Sequence, residues 1–207
     1  MLIAVAGNIG TGKTTLVRKL ADYFGYQAEY EAIHENPYLS LFYRDMERWA
    51  FPLQVYFLGH RFRQGLSLND RESGVILDRT IYEDANVFAK NLYRSNYLSQ
   101  VDYENYLSLY QSMVGLIPKP DILVYLKGKP KNLKYRISHR SEGGIRSFER
   151  EISLAYLKNL DLCYASWISN YTYSTTLTID IDTIDLAKDE HFETLVKNIQ
   201  NQKRCVT

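Results

Sequence analysis

The nine residues from Gly7 to Thr15, GNIGTGKTT, constrain this chain more than any other stretch. The apolar run Leu2-Ile3-Ala4-Val5-Ala6 lies directly before them, and the segment from Thr14 to Phe24 carries apolar side chains at helical spacing. The loop therefore sits at a strand-to-helix junction. It fits the pattern G-x-x-x-x-G-K-[ST], in which glycines let backbone N–H groups turn inward around phosphate oxygens while the next helix aims its positive end at them. Gly7, Asn8, Ile9, Gly10, Thr11, Gly12, Lys13, Thr14 and Thr15 are expected to form this cradle. Lys13 would contact the β- and γ-phosphates of ATP, and Thr14 would bind Mg²⁺. The motif leaves open which molecule receives the phosphate.

The rest of the chain alternates short apolar runs with helical periodicity. Strands are expected at 2–6, about 27–31, 75–77, 121–126 and 175–179, and helices near 14–24, 38–47, 50–66, 82–94, 101–116, 130–139, 151–169 and 188–200. That alternation predicts an α/β protein with a parallel sheet of about five strands and helices on both faces. With 207 residues and 45% hydrophobic side chains, one domain spanning 1–207 is the simplest reading. The compositional break at 140–150, RSEGGIRSFER, places two glycines in a charged stretch between helices. It reads as a lid or as an ordinary surface loop.

Composition excludes some partners. Twenty-five Lys and Arg against 24 Asp and Glu give a net charge of +1, so there is no general basic field for a nucleic-acid polymer. No segment approaches the ~20 apolar residues of a membrane span, and no signal peptide is recognisable, so the cytoplasm is the expected compartment. Cys163 and Cys205 stand far apart and in no metal-ligand spacing, and the four histidines form no motif. The expected partners are small molecules, and the only expected metal is the magnesium that accompanies the nucleotide.

Two clusters bear on the phosphate acceptor. Glu31 closes the second strand candidate, in YEAIHENPY, and ligands of open α/β sheets bind at strand C-terminal ends. It is a candidate general base, with Glu35 the competing choice and a solvated strand-end glutamate the plain alternative. Val75-Ile76-Leu77 delivers Asp78 and Arg79 to the same sheet edge. Asp78 is suited to hold Mg²⁺ through water, and Arg79 to steady a carboxylate or a phosphate. A structural salt bridge is the alternative for both.

These motifs, taken together, resemble the deoxyribonucleoside kinases, and most of all the bacterial deoxyadenosine/deoxyguanosine kinases, from the phosphate loop to about Trp167. The family's E-P-V-E-type segment, whose glutamate is the general base, is similar to YEAIHENPY, with Ala32 in place of the usual proline and Glu31 at the matching position. The family's Y-x-D…W-A…Q spacing is reproduced by Tyr43-Arg44-Asp45, Trp49-Ala50 and Gln54. The resemblance implies that Tyr43 binds the 3′-hydroxyl and Gln54 the base. The block from Asp78 through Asp84 to Phe88 is similar to the family's D-R-S block, which places the arginine beside the base catalyst and the phenylalanine on the nucleobase. Arg146-Ser147-Phe148-Glu149 matches the second arginine and the sugar-contacting glutamate of the family's lid, R-x-R-x-x-E, whereas Arg140 stands farther upstream than the first arginine should. The resemblance implies a P-loop kinase fold, an arginine-bearing lid over the triphosphate, ATP and Mg²⁺, transfer to the 5′-hydroxyl of a deoxynucleoside, and a homodimer.

The residue types suit that chemistry. An aromatic such as Phe88 covers the face of a base, and the carboxamide of Gln54 offers its edge a donor and an acceptor. Arg61 follows Gln54 by seven residues, two helical turns, and Asp84 precedes Phe88 by four, so the two charges are expected to meet over the base. In the resembling family such a pair accompanies enzymes for deoxyadenosine, deoxyguanosine or deoxycytidine, whereas thymidine-accepting relatives carry apolar residues there. Tyr103, Tyr106, Leu107 and Tyr110 share a helical face and read as core or a dimer surface. Two other functions compete. A thymidylate-type kinase needs extra positive charge for a 5′-phosphate, where Glu31 would repel it, and a non-catalytic relative has no need of Lys13 or Glu31.

Overall fold

The computed structural model describes residues 1–31, 36–140 and 147–204. Five parallel strands, β1 (Leu2–Gly7), β2 (Gln27–Glu29), β3 (Val75–Asp78), β4 (Ile122–Lys127) and β5 (Thr175–Asp180), form one sheet in the order β2-β3-β1-β4-β5. Register pairs Ile3 with Ile76 on one side and with Ile122 on the other. The sheet centre explains the sequence pattern: all six residues of β1 and all four of β3 are buried, so they read as continuous apolar runs, whereas edge strand β5 is only partly covered and alternates threonine with apolar residues. The expected five-stranded parallel sheet with flanking helices is borne out. Because β1 lies between β3 and β4, its C-terminal end is a topological switch point, where open α/β sheets hold ligands.

Helix α1 (Lys13–Phe24) follows the phosphate loop and buries Leu16, Val17, Leu20 and Ala21 at i, i+4 spacing. It stops at Gly25, whose φ of 65° suits a glycine C-cap, with its N–H on the Ala21 carbonyl. Helices α2 (Leu39–Arg44) and α3 (Met46–Ser67) are divided at Asp45, not at the expected gap between 47 and 50. The Asp45 side chain accepts the Arg48 N–H at 3.1 Å, and this N-cap starts a new helix before Pro52 is reached. The buried face of α3 carries Ala50, Leu53 and Leu58, but also Gln54 and Arg61. Buried polar residues on an apolar face require partners: Gln54 lines a cavity, and Arg61 pairs with Glu31 and Asp84.

The single helix expected over 82–94 is three segments in series: α4 (Ile81–Glu83), a π-helical turn at Asp84–Ala89, and α5 (Lys90–Arg94). The wider π turn contains both Asp84 and Phe88. Helix α6 (Gln100–Val114) buries Tyr106 completely, so this tyrosine belongs to the core. After α7 (Pro130–Arg140), a 3₁₀ turn at Ser147–Glu151 leads into α8 (Leu154–Ser169), and α9 (Asp189–Arg204) closes the described chain. Among the described residues no helix is long and apolar enough to cross a membrane.

Candidate active site

The loop after β1 has the backbone that an anion site needs. Gly7, Gly10 and Gly12 have φ of 150°, 90° and 89°. A Cβ on Gly7 would stand 2.6 Å from the Leu126 carbonyl oxygen, so both torsion and space demand glycine there. At the start of α1, Gly12 provides no side-chain cap and the first turn has no acidic residue. The free N–H groups and the positive end of the helix dipole therefore face the cavity lined by Gly10, Gly12, Lys13, Thr14 and Thr15. Asn8 ties the loop down: its Nδ2 donates to the Leu157 carbonyl in α8 at 2.9 Å and its Oδ1 accepts the Ile9 N–H at 2.8 Å. Thr11 donates to the Asn8 carbonyl at 2.9 Å.

Lys13 is buried and donates to the Gly7 and Asn8 carbonyls at 2.8 and 3.0 Å. Burial, reinforced by nearby Arg79, pushes its ammonium down to about 7. Beside it, Thr14 Oγ1 donates to Asp78 Oδ2 at 2.6 Å, whereas Asp78 Oδ1 is buried without a hydrogen-bond partner. An orphaned carboxylate oxygen next to a threonine hydroxyl fits a hard cation held through water.

The cavity has a volume of about 250 Å³. It is lined by the loop and by Glu31, Tyr43, Gln54, Arg79, Asp84, Phe88 and Glu149, all of them expected from the sequence. Glu31 lies two residues beyond the three-residue β2 and does not close that strand. Its Oε1 pairs with Arg79 Nε at 2.9 Å and Arg61 Nη2 at 3.4 Å. Burial alone would raise the Glu31 carboxyl, but Arg79, Arg61 and Lys13 outweigh it and hold the group below the usual carboxylate range. Arg61 Nε also lies 3.4 Å from Asp84 Oδ2, so the two expected partners meet, but only Asp84 lines the cavity and Arg61 stands behind it and Glu31. Asp84 shares this arginine with Glu31, and burial pushes its carboxyl up to about 7 despite the arginine. Burial likewise raises the Tyr43 hydroxyl well above its ordinary value, with Tyr156, Glu149 and Glu31 adding to the shift.

Arg79 occupies a strained position immediately after β3. Its φ is 76°, unusual for a residue with a Cβ, and its N–H donates to the Val5 carbonyl at 3.0 Å. Its guanidinium lies 4.6 Å from the centre of the Phe88 ring. Arg140 is the last residue of α7, and Arg146, Glu35, His34 and Cys205 lie outside the described residues.

Several site residues escaped the sequence reading. Leu39, Phe42, Leu53, Phe57 and Tyr156 supply the apolar walls of the cavity. Gln64 accepts from Arg61 Nη1 at 3.3 Å and donates to Glu29 at 3.0 Å, a brace behind the arginine. Glu83, fully buried, pairs with Arg79 at 2.7 Å, and Tyr164 joins both. The i, i+4 spacing of Arg79 and Glu83 is a legible signal for that pair. Tyr164, one of 18 tyrosines, has none.

Comparisons with known proteins give the family. A family model described as deoxynucleoside kinase matches residues 3–204. The chain belongs to the deoxynucleoside kinase family. It is 38% identical over 211 aligned residues to the deoxyadenosine/deoxycytidine kinase of Bacillus subtilis (strain 168), covering 98% of this chain and 95% of that one. It is 32% identical to the deoxyguanosine kinase of the same organism, over 96% of this chain and 95% of that one. The structure of deoxyadenosine kinase from M. mycoides with bound dATP superposes with a TM-score of 0.85 at 29% identity, over 97% of this chain and all of that one. The chain is thus a deoxynucleoside kinase by family, an ATP-dependent phosphotransferase. Family likeness runs past Trp167 through β5 and α9, which carry no site motif and so gave no signal in the sequence.

Proposed function

We propose that this kinase transfers the γ-phosphate of ATP to the 5′-hydroxyl of deoxyadenosine in preference to deoxyguanosine or deoxycytidine, and that thymidine is a poor acceptor. The observation that carries this reading is the carboxylate of Glu31, held by Arg79 and Arg61 in the cavity into which the phosphate loop opens. Held below the usual range, Glu31 stays ionised at neutral pH and is ready to accept the 5′-hydroxyl proton. A weak base suffices, because phosphoryl transfer depends chiefly on positioning and charge stabilisation.

The other roles are assigned from the resemblance and from the chemistry of the residue types. Lys13 and the backbone from Gly7 to Thr15 hold the phosphates of ATP. Thr14 and Asp78 would hold Mg²⁺, which when bound would offset the charge that builds on the leaving phosphate. Tyr43 and Glu149 bind the sugar, and Arg79 orients Glu31. The family resemblance assigns Arg140 and Arg146 to the triphosphate, where their charge would offset that of the phosphates. Phe88 covers the base face, while Gln54, Arg61 and Asp84 read its edge. The Arg61–Asp84 pair favours a base edge with amino or ring-nitrogen groups and leaves little room for the thymine methyl. Names such as deoxyadenosine/deoxycytidine kinase among relatives support an amino-bearing base. The resemblance supports an enzyme that acts in the cytoplasm as a homodimer.

The test is kcat/KM for deoxyadenosine, deoxyguanosine, deoxycytidine, thymidine and thymidine monophosphate with ATP and Mg²⁺. Deoxyadenosine should rank first and both thymine compounds last. A preference for thymidine overturns the reading of the base site, and a preference for the monophosphate overturns the reading of the acceptor.

A further inference from the structure

We propose that Tyr164 and Glu83 are positioning residues for phosphoryl transfer, locking Arg79, and through it Glu31, to the phosphate loop. The inference rests on the reading of Glu31 and Arg79 just given, and goes beyond it to residues that touch neither substrate.

Arg79 works from two edges. Its Nε faces the cavity and holds Glu31 at 2.9 Å. Its Nη1 faces away, under the loop, to Glu83 Oε1 at 2.7 Å, the Tyr164 hydroxyl at 2.9 Å and the Gly7 carbonyl at 3.2 Å. The Tyr164 hydroxyl in turn bonds the Gly7 carbonyl at 2.8 Å and makes a shorter contact with Glu83 Oε1. Glu83 Oε1 also accepts the Gly7 N–H at 3.3 Å. Both backbone polar groups of Gly7, the first residue of the phosphate loop, are therefore fastened to the cluster that holds Arg79.

Stability does not account for such a cluster. Glu83 and Tyr164 are fully buried and neither lines the cavity. Glu83 Oε2 has no hydrogen-bond partner. A buried carboxylate paired with arginine is commonly no more stable than apolar packing of the same shape, so its value lies in the direction it imposes. The aromatic body of Tyr164 already packs on Tyr125, 5.7 Å between ring centres, and a phenylalanine would keep that contact. The hydroxyl is the part left to explain.

Lys13 connects the cluster to nucleotide binding. Three donor atoms lie within hydrogen-bond distance of the Gly7 carbonyl, Lys13 Nζ at 2.8 Å, the Tyr164 hydroxyl at 2.8 Å and Arg79 Nη1 at 3.2 Å; its two lone pairs cannot take all three, and the single Tyr164 proton is shared between this carbonyl and Glu83. When Lys13 turns to the phosphates, Tyr164 and Arg79 keep this carbonyl satisfied. A lysine drawn to the phosphates would leave no stranded buried acceptor at Gly7.

The test compares Tyr164→Phe, Glu83→Gln and the double variant with the wild-type enzyme, using ATP, Mg²⁺ and deoxyadenosine. Each single variant should lower kcat by about 10- to 100-fold, since small misplacement of a reacting group costs on that order, with KM for deoxyadenosine changed less than about threefold. The double variant should be no slower than the slower single one, because both act through Arg79. The acidic limb of the kcat–pH profile should also move to higher pH. Glu31 faces Arg79, Arg61 and Lys13 on its cationic side and Asp84 and Tyr43 on the other, and a loosened Arg79 holds its proton affinity down less firmly. An unchanged kcat with only a lower Tm, additive losses, or an unmoved acidic limb each overturn the inference. A wild-type protein that transfers no phosphate removes the functional reading and this inference with it; an active wild type beside unchanged variants removes the inference alone.

Discussion

Replacing Arg61 with methionine should destabilise the enzyme in a way that depends on pH above neutrality. Arg61 is 3% exposed and is the cation at 3.4 Å from Asp84, itself 3% exposed. Breaking a buried pair by removing one partner costs about 3–5 kcal/mol. For a chain of this size each kcal/mol moves Tm by about 2–4 °C, so a fall of about 6–20 °C is expected near pH 8. Asp84 sets the pH dependence. With Arg61 present its folded-state value is about 7, against 3.8 as the ordinary value. From about pH 8 it is ionised in both the folded and unfolded wild type and contributes no slope. Without Arg61 the folded value rises further, so the folded variant keeps a proton that the unfolded chain has lost. With more protons bound in the native state, stability falls as pH rises, by about 1.4 kcal/mol per pH unit. The gap between wild type and Arg61→Met should therefore widen by about 3–6 °C per unit above pH 7 and stay flat from pH 5.5 to 6.5, where both folded forms hold the proton. Thermal unfolding followed by circular dichroism from pH 5.5 to 9 measures it, and adding Asp84→Ala should abolish the widening. Parallel curves across the whole range would refute the placement of Asp84 as a carboxylate that titrates against Arg61.

The same pair bears on substrate choice: Arg61→Met with Asp84→Ala should raise kcat/KM for thymidine relative to deoxyadenosine, and an unchanged ratio in steady-state competition removes the pair as specificity determinant. Lys13→Ala should weaken ATP affinity and slow transfer together, because the ammonium interacts with phosphates in both ground and transition states; an unaltered ATP titration contradicts the cradle.

The fold was legible wherever a side-chain pattern had one physical meaning. The run from Leu2 to Ala6 could only be a strand covered on both faces, and the glycines at 7, 10 and 12 announced positive φ before a helix. Boundaries were less legible where a local bond outcompeted periodicity. Asp45 capped α3 earlier than the apolar spacing suggested, and the π turn at Asp84–Ala89 is invisible to a 3.6-residue period. In the site, residues with special chemistry in a special place, Lys13, Glu31, Arg79 and Asp84, stood out. Tyr164 did not, because its hydroxyl acquires partners 157 and 81 positions away in sequence, Gly7 and Glu83, only when α8 packs beneath the loop.

The central claim, that Glu31 takes the proton of an acceptor bound in this cavity, is tested most directly by single-turnover phosphoryl transfer. Wild type and Glu31→Gln are mixed, each with labelled ATP, Mg²⁺ and saturating deoxyadenosine, and the first turnover is followed by rapid quench. Glutamine keeps the size of the side chain but cannot accept a proton, so the rate should fall by about 10²-fold or more while ATP affinity stays within about twofold. A Glu31→Gln enzyme whose first turnover is as fast as that of the wild type would contradict the account.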